Sequence, residues 1–196
     1  GAEGFDPPSL QVERSWDAVL EGRPRTMLER SLPAYLLTCR WFGGKAQQIR
    51  SVKNLDVIPF PVDSATIYLT TWAVDYIGGT PETYLLPLAY ASGDRAFELR
   101  QSAPQAIIAQ LKIEDEAGES EGVLYDAVHE SGFLKSLLSA LARGRRFKDT
   151  GAELLAHPSK AFRRLVGATE TSLEPVLIKR DQSNTSVAYG DRLMFK

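Results

Sequence analysis

Apolar positions along the chain change period several times, and each change predicts an element. From Thr26 to Cys39, Met27, Leu28, Leu32, Tyr35, Leu36 and Cys39 recur at spacings of one, three and four. That spacing predicts an amphipathic helix, started or kinked at Pro33 and stopped by Gly43 and Gly44. Runs rich in β-branched and aromatic residues then predict strands at Ile49–Phe60, Thr66–Ile77, Thr83–Tyr90, Ala106–Ile113 and Val123–Val128. The turn signals between them, such as "PVDS", "GGT" and "SGDR", are too short for parallel crossovers and imply an antiparallel meander. In "SGFLKSLLSALARG", Phe133, Leu134, Leu137, Leu138 and Leu141 form one helical stripe, with Ser131 placed to cap its start and Gly144 its end. Upstream, Gly1, Gly4, Pro7 and Pro8 give the first dozen residues the look of a linker, and "SWDAVLEG" reads as a short helical turn between Ser15 and Gly22. The fold class is α+β: an antiparallel sheet with flanking helices.

Composition narrows the partners more than the fold. The 196 residues are 43% hydrophobic, enough for a core, and 23 basic against 25 acidic side chains leave a net charge of -2. Such a balance gives no positive field to hold nucleic acid or an anionic membrane. One cysteine excludes an internal disulfide framework, and with two histidines it leaves little for a zinc site, so a reducing cytoplasm is the expected compartment. No apolar run approaches the roughly 18 residues that span a bilayer, and the start lacks the basic-then-apolar layout of a signal peptide.

Several stretches invite chemistry and decline it. In "CRWFGGK", Cys39 to Lys45, a Walker loop would need a preceding strand, four residues between its glycines and a hydroxyl after the lysine, where Ala46 stands. The alternative is a positive-φ turn from helix to strand above the buried Trp41 and Phe42. The acidic run Glu114–Gly122 lacks the ligand spacing of a calcium loop and reads as a solvated turn. His129 and His157 have no cysteine or carboxylate at ligand spacing, and the basic run Arg143–Lys148 fits a helix exit or a solvated edge.

The last twenty residues carry a sharper signal. Leu177–Arg180, Ser186–Tyr189 and Arg192–Lys196 read as three short strands, with "DQSNTS" as a polar turn and Gly190-Asp191 as a two-residue hairpin loop. That loop would set Tyr189 opposite Arg192, Val187 opposite Met194 and Thr185 opposite Lys196. The Lys196 ammonium would then stand over a turn rich in amide and hydroxyl donors, with Val187 and Met194 as an apolar face for a base. A surface hairpin with ordinary turn chemistry and an edge lysine is the competing reading.

Three segments, "LPAYLLTCRWFGGK", "LYDAVHESGFLKSLLSAL" and "DQSNTSVAYGDRLMFK", resemble the N-terminal part of the bacterial maltokinases. The resemblance implies a cystatin-like cap of curved sheet and helices, at 24–118, followed over 119–196 by an intermediate region and the first strands of a protein-kinase-like N-lobe. Residues 1–23 would be a linker and leading helix, similar to the junction with a fused trehalose synthase. It further implies an ATP-dependent transfer to maltose with Mg²⁺. Gln182, Ser183, Asn184, Thr185 and Ser186 would replace the Gly-rich loop, Lys196 the lysine of strand β3 in protein kinases, and Met194 the residue touching adenine. The catalytic aspartate and Mg²⁺ ligands are expected beyond Lys196, so no phosphoryl transfer is expected from these residues alone. Many relatives carry a further basic residue where Thr38 or Cys39 stands.

Two other functions are compatible with the same residues. Trp41, Phe42, Trp72 and Tyr76 would suit an interface in a non-catalytic module docking a trehalose synthase domain to its partner. Aromatics on a curved sheet would equally suit sugar stacking by the cap, although as core residues they need no such role.

Overall fold

The computed structural model describes residues 4–63, 65–130, 132, 133 and 135–137, together with the backbone of three further strands at 175–179, 185–189 and 193–195. Its centre is a six-stranded sheet in the order β1-β5-β6-β4-β3-β2, from β1 (Ser9–Glu13), β2 (Ile49–Val62), β3 (Ala65–Tyr76), β4 (Glu82–Ser92), β5 (Ile107–Asp115) and β6 (Gly118–Asp126). Strands β2, β3 and β4 form the expected meander, and β6 pairs antiparallel with both β4 and β5. The mixed α+β class and the antiparallel-rich sheet agree with the reading of the sequence. Part of the expected linker does not. Ser9–Glu13 is an edge strand paired parallel with β5, because Leu10 and Val12 alternate into the core while Ser9, Gln11 and Glu13 stay out.

Period-two alternation divides the core in two. Leu10, Val12, Trp72, Val74, Tyr76, Tyr84, Leu86 and Leu88 belong to a first cluster with Leu28, Leu32, Tyr35 and Leu36 of helix α1 (Gly22–Thr38). Ile67, Leu69, Leu85, Ala89, Val123 and Tyr125 belong to a second cluster with Ala96 and Leu99 of helix α2 (Gly93–Ser102) and with Phe133 and Leu137. The sheet is thus covered from both sides, which explains why β4 reads as a continuous apolar run. Pro87 is tolerated there because the β6 ladder ends at Leu88.

Strand β2 serves both clusters through a bulge. Val52 pairs with Val74 in the first core, whereas Ile58 pairs with Leu69 and Phe60 with Ile67 in the second. The register shift between Asn54 and Asp56 exchanges the faces, and leaves Leu55 exposed. Helix α1 pins this bulge: Glu29 accepts the Asn54 amide at 3.0 Å and pairs with the Lys53 ammonium at 3.2 Å. Thr71 closes the other side, its hydroxyl accepting the Asp56 amide and donating to the Asp56 carboxylate. Beyond the bulge, Pro59 and Pro61 remove donors from an edge strand, a guard against pairing with other chains.

Several local expectations change. Helix α1 begins at Gly22, well before Pro33, and runs through it. The "SGDR" turn is instead the entry to α2, whose ten residues carry too few apolar positions to announce a helix. Ser15 precedes a 3-10 turn at Trp16–Leu20 without capping it by its side chain; its hydroxyl donates to Asp17. The acidic run narrows to a tight β5–β6 hairpin in which the Asp115 carboxylate accepts the Ala117 amide at 2.8 Å. Strand β6 begins at Gly118, runs past the expected cap limit at 118, and belongs to the same sheet as β2 to β5. Of the expected helix after β6, Phe133 and Leu137 are buried and the Ser136 amide donates to the Gly132 carbonyl; Ser131, Gly144 and the basic run lie outside the described residues.

Candidate functional site

Helix α1 ends at Thr38, and the bend after it is built from short backbone bonds: Phe42 amide to Cys39 carbonyl at 3.2 Å and Gln47 amide to Gly44 carbonyl at 3.0 Å. These bonds turn the Phe42 ring under the bend, 5.0 Å from the Tyr84 ring, with Trp41 half-buried 5.8 Å from the same ring. Neither Gly43 nor Gly44 has a positive φ, which corrects the expected reason for the pair. Gly44 is required by space: a Cβ there would lie 2.1 Å from the Tyr76 hydroxyl and 2.6 Å from Phe42 Cζ. Lys45 is exposed and the interior of the bend is filled by aromatic rings, so no phosphate cradle exists at this point.

Below the bend two phenols meet one carboxylate. Tyr76 donates to Glu82 Oε2 at 2.8 Å and Tyr84 to the same oxygen at 2.6 Å. Burial raises the Tyr76 phenol above its ordinary pKa; burial and then the neighbouring Tyr76 raise Tyr84 further. Glu82 sits just after the "GGTP" turn and carried no signal of its own in the sequence, since its partners come from β3 and β4. A second aromatic group packs against the same core farther along β3 and β4. Trp16 meets Tyr68 edge-on at 5.2 Å and stacks on Tyr90 at 6.1 Å. Tyr68 donates to Asp17 at 2.8 Å, and burial followed by that carboxylate pushes its pKa up to about 12. Burial alone would raise Asp17, but the hydroxyls of Ser15 and Tyr68 hold it below the usual carboxylate value.

The aromatic cluster therefore answers two expectations. Phe42, Trp72 and Tyr76 are only 3%, 2% and 1% exposed, and the Trp72 indole donates inward to the Thr70 hydroxyl at 2.7 Å. These three form core rather than a docking surface or a sugar-stacking platform, with the Trp72 and Tyr76 polar tips partnered inside; Trp41, the fourth residue of that expectation, is half-buried. Among the described residues no group of His, Cys, Asp and Glu could hold a metal ion, and no helix is long and apolar enough to cross a membrane.

The terminal ribbon is a separate three-stranded sheet, β7 (Pro175–Lys179), β8 (Thr185–Tyr189) and β9 (Leu193–Phe195), in that order. Thr185 and Ser186 open β8, paired with Lys179 and Ile178. Gln182, Ser183, Asn184 and Lys196 lie outside the described residues. The expected pairing across the second hairpin is corrected by one residue. Tyr189 pairs with Leu193, Ala188 with Met194 and Val187 with Phe195, so three residues, not Gly190 and Asp191 alone, separate the paired ends. Val187 and Met194 are therefore not cross-strand partners.

Taken together, the described residues define a cap-type α+β unit: a curled six-stranded sheet with a helix on each side and an aromatic bend at the end of the first helix. Residues 35–130 match the family model described as the maltokinase N-terminal cap domain. That match supports an N-terminal maltokinase fragment. No curated protein matches the chain. The matched residues start inside α1 and stop at Glu130, but β1 and the first turns of α1 complete the same core on one side, and Phe133 and Leu137 on the other.

Proposed function

We propose that the chain is the cap and the beginning of the N-lobe of an ATP-dependent sugar kinase that phosphorylates maltose to maltose 1-phosphate. The observation that carries this reading is the cap-domain match over residues 35–130. The position of the β7-β8-β9 ribbon after the cap supports it, since a meander of short strands is where a kinase-like lobe gathers its nucleotide phosphates. In this reading Gln182 to Ser186 offer amide and hydroxyl donors to the phosphates and Lys196 neutralises them. Mg²⁺, when bound, offsets charge on the same phosphates, and no residue of the chain is assigned to it. A fused trehalose synthase as neighbour and the cytoplasm as compartment belong to the same proposal.

The test uses the full-length protein. Maltose, maltotriose, glucose and trehalose are offered with ATP and Mg²⁺ to wild type and to Lys196→Ala. Maltose is expected to be the preferred acceptor, and loss of the lysine is expected to lower kcat/KM by about a hundredfold or more, as for removal of a group that stabilises transferring phosphate. Equal rates for the two proteins would remove Lys196 from the mechanism, and absence of sugar phosphorylation would remove the kinase reading.

A further inference from the structure

The two edges of the six-stranded sheet are β2 and β1, and they are built differently. At β2, Pro59 and Pro61 remove donors, a bulge interrupts the ladder, and Glu29 occupies the Asn54 amide. At β1, Ser9–Glu13 holds no proline, no lysine and no register shift. Its inner side is fixed by β5: the Gln110 amide donates to the Pro8 carbonyl at 2.8 Å, and the Arg14 amide to the Glu114 carbonyl at 2.8 Å. Backbone groups alternate sides along a strand, so Leu10 and Val12 also face β5, whereas Ser9, Gln11 and Glu13 turn their amides and carbonyls outward. All three are exposed. Among the described residues, the one bond to these outward groups is that of the Ser15 amide to the Glu13 carbonyl, at 2.9 Å.

Charge is graded along this edge. Leu10 and Val12 enter the first core, so the side chains of Ser9, Gln11 and Glu13 stand on the second face, beside Gln110, Lys112 and Glu114 of β5. At the Ser9 end, the exposed Arg100 guanidinium donates to Gln110 at 2.8 Å. At the other end, Glu13 lies beside Glu114, itself in register with Glu119 of β6. Lys112 is drawn to Glu119 and Glu121 and does not balance the remaining carboxylates. Between the two ends, the Gln11 side chain donates to Glu114 at 3.3 Å and leans inward, off the edge.

We propose that β1 pairs with β1 of a second copy of this chain, antiparallel and centred on Gln11, so that the two sheets continue across a two-fold axis. In that register Gln11 faces Gln11 of the copy and Ser9 faces Glu13, each pair exchanging two main-chain hydrogen bonds. Sliding by two residues in either direction would lose one of these pairs. The two-fold also sets the acidic end of each copy beside the basic end of the other. Glu13 lands opposite the Ser9 hydroxyl and two strand spacings, about 10 Å, from the β5 backbone where Arg100 is held, about one Debye length at 0.1 M salt. The edge is thus complementary to itself in hydrogen bonds and in charge, which favours a second copy over an unrelated strand. One five-residue strand covers less than the roughly 800 Å² per partner of a stable interface, so the dimer depends on concentration. The inference does not depend on the kinase reading.

Sedimentation equilibrium on the whole 196-residue chain tests it. Wild type is expected to pass from monomer at about 1 µM to mostly dimer at about 500 µM in low salt, and its dissociation constant to rise about threefold or more in about 0.5 M salt. Gln11→Pro removes the central outward donor and leaves the inward ladder intact; it is expected to abolish the dimer at about 500 µM with a nearly unchanged urea midpoint. Glu13→Lys keeps the test intact should the proline variant fail to fold. It sets like charges at both ends of the contact and is expected to weaken the dimer about tenfold, and adding Arg100→Glu to restore it to within about threefold of wild type. A chain monomeric at about 500 µM would overturn the proposal and leave the edge to another protein. So would a dimer that folded Gln11→Pro and Glu13→Lys leave unchanged, because the contact would then lie elsewhere.

Discussion

Substituting Gly44 by alanine tests the central packing claim with a single methyl group. The added Cβ would lie 2.1 Å from the Tyr76 hydroxyl, where ordinary contact begins at 3.4 Å, so one group must retreat by more than an ångström. Tyr76 is 1% exposed and tied to Glu82, and the next atoms in the way are Phe42 Cζ at 2.6 Å and Tyr76 Cζ at 2.7 Å. Overpacking of this kind costs about 1–3 kcal/mol. Moving the Tyr76 hydroxyl off a carboxylate adds about 1–2 kcal/mol, less than the full value because Tyr84 still donates to Glu82. We expect a loss of about 3 kcal/mol, which at a urea slope of about 2 kcal/mol per molar lowers the midpoint by about 1.5 M. Tryptophan fluorescence during urea unfolding reads it directly, since Trp41 and Trp72 border the bend and the sheet beneath. Gly43→Ala, on the exposed side of the same bend, should stay within about 0.5 kcal/mol of wild type. In a Tyr76→Phe background the Gly44→Ala penalty should fall by about 1–2 kcal/mol, because the nearest atom and its hydrogen bond are gone. A Gly44→Ala chain as stable as Gly43→Ala would refute the close approach as the reason for this glycine.

Two further outcomes are expected from the same structure. Glu29→Ala removes the acceptor of the Asn54 amide and the partner of Lys53 at the β2 bulge, and should cost about 1–3 kcal/mol in urea unfolding, with increased exchange of the Asn54 amide; no change at that amide would show that the bulge holds without α1. At high pH the sign is fixed by the raised phenols: the fold prefers neutral Tyr68, so its contribution is complete below the unfolded value of about 10 and is lost as pH rises toward about 12. Ultraviolet titration of tyrosinate beside thermal unfolding checks this, and tyrosinate forming in the folded chain with a single midpoint near 10 would contradict it.

Local periodicity determined which residues are apolar and which segments extend or coil. Strands β2 to β5 and the second half of β6 were legible because their β-branched and aromatic residues are a property of the segment itself, and the α1 stripe at Leu28, Leu32, Tyr35 and Leu36 is visible without any neighbour. The first half of β6, residues 118–122, reads as an acidic turn and extends only through its pairing with β5. The cap resemblance was legible in "LPAYLLTCRWFGGK", because it rests on the identity of residues along one segment, and the family match takes in that segment from Tyr35 onward. Tertiary structure decided what depends on a distant partner. Ser9–Glu13 became a strand only by pairing with β5, its partners just over a hundred residues away in the chain. The faces of β2 were exchanged by one unpaired residue whose amide neighbour is satisfied from α1. The second hairpin of the ribbon differed by one residue in its loop, enough to separate Val187 from Met194. Gly44 obeys the same logic: the sequence marked a bend, and the Tyr76 hydroxyl arriving from β3 decided that nothing larger than hydrogen fits there. Pattern along a chain records what each residue prefers, whereas register, bulges and close approaches are set by partners that no local window contains.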